Sequence, residues 1–334
     1  MTVVPIIGMS DQTHQTNFSG DKKAWPVYIT IGNLPLTRRK GPGSMAVLLA
    51  LLPLSRKFAQ SSGHKLQRQI NANTLQVLFE IIFESLRDTT LEGFPMDCCD
   101  GKIRRCFVIL SGWNADQMEN AILYGLETNP CPQCEIPPYK LATGANHHLA
   151  RNYDKRNKHY ERLDIKTGPN SFLGVERVAA PNLHMPDLLH TIYLGLFKHM
   201  MDWIQRFLKK HLRQQAFCDA WKALPSYPRF YAPKTANRGI AQWQGKEMRI
   251  LVWCLLGVLT VALRQPDTKQ VQHFKYALTC DGSLLDFGMM AQYRTHPDET
   301  IQYMEDYLNL FHETKYIFLV FWISKQMKAR QMNC

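Results

Sequence analysis

The stretch VVPIIGMSD, residues 3–11, sets the start of the fold. Residues 3–9 are apolar and rich in β-branched side chains, which is typical of a buried β-strand. Ser10 and Asp11 follow immediately, so a hydroxyl and a carboxylate lie just beyond this run. We therefore predict a strand over residues 3–9 that carries Asp11 at its far end.

Three further strands and one helix are predicted downstream of this segment. Residues 25–34 partly alternate and close at a Gly-Asn pair, which favours a second strand. Residues 46–54 predict a third strand, although their leucine and alanine content leaves a helix open. Residues 73–87 have apolar side chains at helical spacing. Residues 106–110 form an apolar run that predicts a fourth strand ahead of Asp116.

The predicted order is strand, strand, strand, helix and strand, with an aspartate beyond the first and the fourth strand. This is the order of the ribonuclease-H-like fold, so we expect an α/β protein with a mixed sheet and flanking helices. The second half has apolar residues at helical periodicity, and the predicted helices are residues 187–211, 214–223, 247–263 and 298–312.

These patterns predict a ribonuclease-H-like core in the first part of the chain and a mainly helical second half.

The bulk composition limits the class of protein. The chain has 334 residues, 45% hydrophobic and 20% charged, which fits one large domain with an insertion or two domains. Its net charge of +12 favours an anionic partner such as nucleic acid, with a merely basic globular protein as the alternative. The opening residues lack a secretory signal, and no apolar run reaches about 18 residues. With an odd count of nine cysteines, we expect an intracellular protein without a membrane span or a disulfide framework.

Asp11 and Asp116 are candidate ligands for divalent metal ions. Two-metal phosphoryl transfer needs carboxylates that converge on one point, and Mg²⁺ prefers oxygen ligands. Strand ends suit this task because a sheet fixes the carboxylates while leaving them exposed. The alternative for each aspartate is a helix cap or a turn residue, which is the commoner role after a strand.

The motif Cys131-Pro-Gln-Cys134 is a second candidate site. Two thiolates at this spacing can bind Zn²⁺, and a redox motif is the alternative. Further zinc ligands would come from histidines: His147, His148, His184 and His190. Asp187 and His190 share a helical face, which favours either a ligand cluster or a helix cap beside a satisfied histidine.

Basic side chains are the candidate contacts to nucleic-acid phosphates. The most cationic segments are the polar stretch 147–166 and the basic end of the helix predicted at 187–211. A solvated face is the alternative for each segment. The cations that we expect to contact DNA are Lys22, Lys23, Arg104, Arg105, Lys155, Arg156, Lys158, Lys209 and Lys210.

Six blocks follow one another in a distinctive order along the chain. They are SDQTHQTNFSGDKKAWPVYITIGNLP (10–35), GKIRRCFVILSGWNADQMENAILYG (101–125), CPQC (131–134), PDLLHTIYLGLFKHMMDW (186–203), QWQGKEMR (242–249) and LLDFGMMAQYRTHPDETIQYMEDYLNLFHETKYIF (284–318). In this order they resemble the Plavaka group of fungal DNA transposases, which are CACTA-like members of the DDE/D superfamily. The second block places Asp116 and Glu119 in that family's Ala-Asp-x-x-Glu context.

The resemblance implies a ribonuclease-H-like transposase core with a large, mainly helical insertion, which cleaves transposon ends and transfers strands with Mg²⁺ or Mn²⁺. It implies that residues 1–130 form the first part of the core and that residues 131–245 hold a Cys-x-x-Cys turn and the helical insertion. Residues 246–334 would form a helical, truncated C-terminal part that returns to the core. It implies that Asp11 and Asp116 are the first two catalytic acids and that Glu247 is the third. Later glutamates are alternatives for the third acid: Glu299, Glu305 and Glu313.

The resemblance also implies a zinc-binding or structural turn at Cys131 and Cys134, with His190 as a further Zn²⁺ ligand. The expected partners are the terminal inverted repeats, the target DNA and further copies of the chain, in the nucleus. The segment after residue 318 departs from the family pattern, and family members carry a long upstream region, so we expect a truncated copy. The alternative is a non-catalytic, transposon-derived DNA-binding or interaction protein.

Overall fold

The computed structural model describes residues 2–14, 23–39, 45–54, 64–124, 131, 133–136, 183–225 and 245–318. The chain divides into two compact units, Met1–Asp187 and Leu188–Cys334. A mixed sheet with flanking helices forms the first unit, and the described part of the second is helical. The predicted α/β class is therefore confirmed. The three-part domain division stays a prediction, because its boundaries lie next to residues outside the described ranges.

The first unit contains the four predicted strands and the predicted helix. Its elements are β1 Thr2–Ser10, β2 Thr13–His14, β3 Lys23–Ile31, α1 Leu36–Arg39, β4 Val47–Leu52, α2 His64–Leu91, β5 Phe94–Asp97, β6 Ile103–Asn114, α3 Gln117–Leu123 and β7 His184–Met185. Residues 46–54 are a strand and not a helix, since they pair with β3. The short strands β5 and β7 were not predicted, because neither has a run of apolar residues long enough to indicate a strand.

In the described ranges the sheet has seven strands, and β1 and β6 are its central pair. β1 pairs antiparallel with β3 and parallel with β6. β2 continues the register of β1 along β3, since Ser10 lies opposite Val27 and Thr13 lies opposite Ala24. β4 occupies the other edge of β3, while β5 and β7 pair with the two ends of β6. The parallel pairing brings the C-terminal ends of β1 and β6 to the same edge of the sheet.

Helix α2 covers one face of the sheet with side chains four residues apart. Leu75, Phe79 and Phe83 are buried at this spacing, which places them on one helical face. Both phenylalanines meet the indole of Trp113 edge to face, at centroid distances of 5.8 Å and 6.0 Å. Gly8 pairs with Trp113 across β1 and β6, and a Cβ there would lie 2.2 Å from the indole. The position of Trp113 in the core therefore depends on glycine at residue 8.

The second unit begins with a π-helical segment, Leu189–Leu196, that continues into a regular helix. Its other elements are α4 Phe197–Lys210, α5 Gln214–Lys222, α6 Gly245–Ala262, α7 Val271–Met290 and α8 Asp298–Thr314. The helix predicted over 187–211 is thus present, but its first turns are wider than an α-helix. A Cβ at residue 195 would lie 2.7 Å from the carbonyl oxygen of His190, so Gly195 permits this widened turn.

Helix α7 was not predicted, because the sequence Asp281-Gly282-Ser283 in its centre is typical of a turn. Packing overrides that local preference: Phe274, Ala277 and Leu284 lie in the buried core of the unit. In the described residues, no helix is long and apolar enough to cross a membrane.

Candidate active site at one edge of the sheet

Asp11 and Asp116 follow the ends of the central parallel strands, at the same edge of the sheet. Asp11 is exposed and comes directly after β1, while Asp116 is half-buried and comes two residues after β6. The last pair between these strands joins Met9 to Asn114. Each aspartate therefore comes two residues beyond this last pair, on strands that lie about 4.8 Å apart.

A β-bulge at Ser111 makes this register possible. Ile6 pairs with Leu110, whereas Ile7 pairs with Gly112, so Ser111 is an extra residue in β6. The Ser111 hydroxyl donates a hydrogen bond to the Ile6 carbonyl oxygen at 2.9 Å, which stabilises the bulge. Without the shift, Met9 would pair with Trp113, and Ala115 rather than Asp116 would follow that pair by two residues. Bulges often re-aim side chains in this way next to active sites, and periodicity alone could not have revealed this one.

Asp116 also begins helix α3. Its Oδ1 accepts the backbone N–H of Glu119 at 2.6 Å, so Asp116 is the N-cap of the helix. The helix-cap alternative from the sequence is therefore confirmed for Asp116. This bond engages Oδ1 and leaves Oδ2 outside the cap, so the capping role and a role as a metal ligand are compatible.

Glu119 lies behind the two aspartates and is only 5% exposed. Its Oε1 accepts hydrogen bonds from the Ser10 hydroxyl and from Trp25 Nε1, the latter at 2.8 Å. Trp113 Nε1 donates to the Ser10 oxygen at 3.0 Å. These four side chains, which we call the Glu119 network, join β1, β3, β6 and α3. The network therefore fixes the residue before Asp11 and the helical turn that Asp116 caps.

The carboxyl group of Glu119 has a raised pKa. Burial is the largest cause, and the negative charges of Asp116 and Asp11 raise the pKa further. The hydrogen bonds from Ser10 and Trp25 act in the opposite direction. Both aspartates are thus close enough to Glu119 to repel it, which is an electrostatic arrangement that a cation would relieve.

The third predicted acid lies in the other unit. Glu247 is half-buried in the first turn of α6, and the later glutamates are on α8. Its role as the third acid stays a prediction. Sequence reasoning named Glu119 only as part of a motif and gave it no role. The sequence signal that could have identified Glu119 was its position three residues after a helix cap. At that spacing its side chain turns back toward the ends of the strands.

Comparison with known families decides the origin of this arrangement. The model of the family described as Plavaka transposase matches residues 1–204, more than half of the chain. The chain belongs to the Plavaka transposase family. The match contains the strands and helices of the first unit, with Asp11, Asp116 and Glu119. No curated protein matches the chain.

In this Plavaka chain, Cys131 and Cys134 are both half-buried. The backbone N–H of Gln133 donates to Cys131 Sγ at 3.4 Å, which closes the turn of the motif. His190 is exposed on the π-helical segment of the second unit. Within the described ranges, no three His, Cys, Asp or Glu side chains form a group that could hold a metal. Both metal sites are therefore incomplete in what the structure describes, and their ligand sets stay predictions.

The predicted DNA contacts of the first unit lie at opposite ends of the sheet. Lys23 pairs with His14 on β2, at the same end as the aspartates. Arg104 and Arg105 lie at the start of β6, roughly 30 Å or more from that end at about 3.3 Å per strand residue. Arg104 binds both carboxylate oxygens of Asp100, at 2.6 Å and 2.5 Å, so its charge is locally neutralised.

The remaining predicted DNA contacts divide between the second unit and residues outside the described ranges. Lys209 and Lys210 are exposed in the last turn of α4, where cations are favoured by the helix dipole. Four predicted contacts lie outside the described residues: Lys22, Lys155, Arg156 and Lys158. The histidines His147 and His148 also lie outside them.

Proposed function

We propose that the first unit is the ribonuclease-H-like core of a DDE/D transposase that cleaves transposon ends and transfers strands with Mg²⁺ or Mn²⁺. The observation that carries the proposal is that Asp11 and Asp116 each follow the C-terminal end of one of two neighbouring parallel strands, two residues beyond the last pair, Met9 and Asn114. The order of three strands, a crossover helix and a strand parallel to the first supports it. So does membership of the Plavaka transposase family.

The donor atoms at this edge fit a hard divalent cation. Asp11 and Asp116 offer carboxylate oxygens, which are the ligands that Mg²⁺ prefers. Bound metal ions would activate the attacking oxygen and stabilise the leaving oxygen in phosphoryl transfer. In this proposal the Glu119 network holds both carboxylates in place, which makes Glu119 a positioning residue. Glu247 remains the candidate third acid.

The partners follow from the same proposal. They are transposon terminal inverted repeats and target DNA, and we expect the chain to act as a homo-oligomer in the nucleus. A Zn²⁺ ion held by Cys131 and Cys134, with His190 as a further ligand, would stabilise the turn between the core and the rest of the chain. That part of the proposal rests on the closed Cys131–Gln133 turn.

A nicking assay with two aspartate variants tests the catalytic role. The purified full chain is incubated with supercoiled plasmid and Mg²⁺ or Mn²⁺. The wild-type chain is compared with the variants Asp11→Asn and Asp116→Asn. Asparagine caps a helix as well as aspartate does, so Asp116→Asn removes a charged metal ligand while keeping the start of α3. We expect both variants to lose nicking by about a hundredfold or more, since a two-metal site contributes several kcal/mol to the transition state.

Asp97→Asn is the matched control, because Asp97 is exposed on β5 at the other end of the sheet. It should nick like the wild-type chain. The alternative function is that of a non-catalytic DNA-binding protein, and the capping role of Asp116 favours it. This alternative would be established if the wild-type chain bound DNA without metal and cut no DNA.

A further inference from the structure

Two helix junctions of the second unit meet at one corner. The first junction, residues 209–213, runs from the last turn of α4 to the start of α5, and the second, residues 264–270, lies between α6 and α7. Arg213 joins them: its guanidinium donates to the Gln265 carbonyl oxygen at 2.9 Å and to Gln270 Oε1 at 3.4 Å. It also lies over the ring of Phe274, 5.5 Å from the centroid. The two junctions therefore form one fixed surface.

This surface is strongly cationic. We call it the basic corner, and its cations are Lys209, Lys210, Arg213, Arg264 and Lys269. The acceptors of Arg213 are neutral, so its charge is not compensated there. Among the residues of the two junctions, Asp267 is the one acid, and its Oδ1 accepts the backbone N–H groups of Lys269 and Gln270 at 3.0 Å and 2.8 Å. The corner thus carries five cations against one carboxylate.

Two histidines extend the corner inward. The rings of His211 and His273 lie 5.6 Å apart, centroid to centroid. The pKa of His211 is lowered, mainly by burial and then by the positive charges of His273 and Lys210. A lowered histidine pKa agrees with a positive local potential at this corner.

Helix α8 is a second concentration of charge in this unit, and it is acidic. Helix α8 carries five acidic residues and no lysine or arginine, and it begins with Asp298 and Glu299. The loop before α8 follows the far end of α7, which has 20 residues and so spans about 30 Å. Positive charge is therefore concentrated at one end of α7, and the acidic helix begins at the other.

We propose that the basic corner binds backbone phosphates of duplex DNA and is a DNA-contact surface of the second unit. A fixed array of cations on two helix junctions suits phosphates, which bear one charge per about 1.7 Å of duplex axis. Phosphate contacts position a protein on DNA without reading its sequence. The inference rests on the chain's acting on DNA, as its transposase family implies, and does not depend on cleavage by the aspartates.

The test compares two triple variants of the full chain. The corner variant is Lys209→Ala, Arg264→Ala and Lys269→Ala, three exposed cations that form no ion pair in the described residues. The control variant is Lys198→Ala, Lys222→Ala and Arg294→Ala, which removes the same charge from exposed sites of the same unit away from the corner. Binding to a random-sequence 30-base-pair duplex is measured between 50 and 300 mM NaCl, and circular dichroism checks that both variants fold.

We expect the corner variant to lose about tenfold or more in affinity at 100 mM salt, because it lacks three phosphate contacts. The slope of log affinity against log salt concentration should also become shallower, by about 0.9 for each lost contact. The control variant should lose much less and keep the slope. Equal losses in both variants would overturn the proposal. Competition by polyglutamate as strong as by DNA would also overturn it, in favour of an acidic protein partner. The same difference between the two triple variants should be found in EDTA, where no metal-dependent cleavage takes place, which separates this result from the cleavage test.

Discussion

Among the residues that the structure describes, each unit buries one carboxyl group, and the two groups differ in their hydrogen bonding. Glu119 in the first unit accepts hydrogen bonds from Ser10 and Trp25. Asp281 in the centre of α7 is 1% exposed, and neither of its oxygens has a hydrogen-bond partner in the part of the chain that the structure describes. Burial raises the pKa of both, to about 7 for Asp281.

The difference shows where the molecule uses polar groups to hold geometry. A buried carboxylate that accepts hydrogen bonds from several elements links them and specifies their positions, whereas an unbonded one only destabilises the folded state when it is charged. The Glu119 network lies beside the two aspartates, so the rigid part of the polar core is where the proposed chemistry needs precision. The helical core of the second unit is specified by apolar packing and tolerates an unpaired acid.

The largest expected effect comes from removing the centre of the network. Glu119→Ala should lower the free energy of unfolding by about 2 to 4 kcal/mol, since it leaves the buried donors of Ser10 and Trp25 without an acceptor. Urea unfolding followed by circular dichroism measures this. Glu119→Gln keeps an acceptor oxygen and should lose clearly less. An alanine variant as stable as the wild-type chain would show that the network does not hold the sheet edge together.

Replacing the buried acid of the second unit should instead raise the free energy of unfolding. Asp281→Asn should raise the free energy of unfolding at pH 8 by about 1 to 2 kcal/mol, because it removes an unpaired buried charge while keeping the shape. Thermal unfolding at pH 8 is the measurement. A loss of stability would mean that the carboxylate of Asp281 has a partner in the folded chain.

The same comparison has a pH dependence. The folded chain keeps the Asp281 proton up to about pH 7, whereas the unfolded chain releases it near the ordinary value of 3.8. Between these values the unfolded state binds fewer protons, so the Asp281 contribution to stability falls as pH rises from about 4 to about 7. The difference between the wild-type chain and Asp281→Asn, measured across that range, should therefore grow with pH and level off above about 7. A constant difference would contradict the raised pKa.

A smaller loss is expected from crowding the aromatic part of the network. Gly8→Ala forces a Cβ against the rigid indole of Trp113, 2.2 Å away, and should cost about 1 to 3 kcal/mol. Gly112→Ala is the matched variant on the neighbouring strand, because its new Cβ meets the flexible end of Met185. We expect Gly112→Ala to cost less in the same urea experiment. Equal costs would mean that Trp113 can move without loss.

The smallest expected effects are those of two cations of the sheet, Lys23 and Arg104, on DNA binding. Lys23→Ala removes a charge at the aspartate end and should weaken DNA binding about two- to fivefold, as loss of one phosphate contact does. Arg104→Ala should change binding by less than twofold, because Asp100 already neutralises that charge at the far end of the sheet. Filter binding at 50 mM salt distinguishes them, and a larger loss for Arg104→Ala would reverse their order.

The sequence predicted the strands and helices whose apolar periodicity is strong. Examples are β1, β3, β4 and the centre of β6. The positions of Asp11 and Asp116 after β1 and β6 follow from these strands. The sequence did not predict helix α7, because its core packing outweighs an internal turn signal. The bulge at Ser111 also escaped prediction, since it depends on pairing with a strand about a hundred residues earlier in the sequence. The Glu119 network could not be predicted either, since it joins side chains that are far apart in the sequence.

The most direct test of the central claim locates the metal by its chemistry. Fe²⁺ replaces Mg²⁺ in the purified full chain, ascorbate and peroxide generate hydroxyl radicals at the bound ion, and the cut sites in the backbone are mapped. The account predicts cuts within a few residues of both Asp11 and Asp116, suppressed by excess Mg²⁺ and absent in Asp116→Asn. A third cut near Glu247 would assign the remaining acid. Cleavage confined to other sites, or none at all, would contradict the claim that the two aspartates share a metal site.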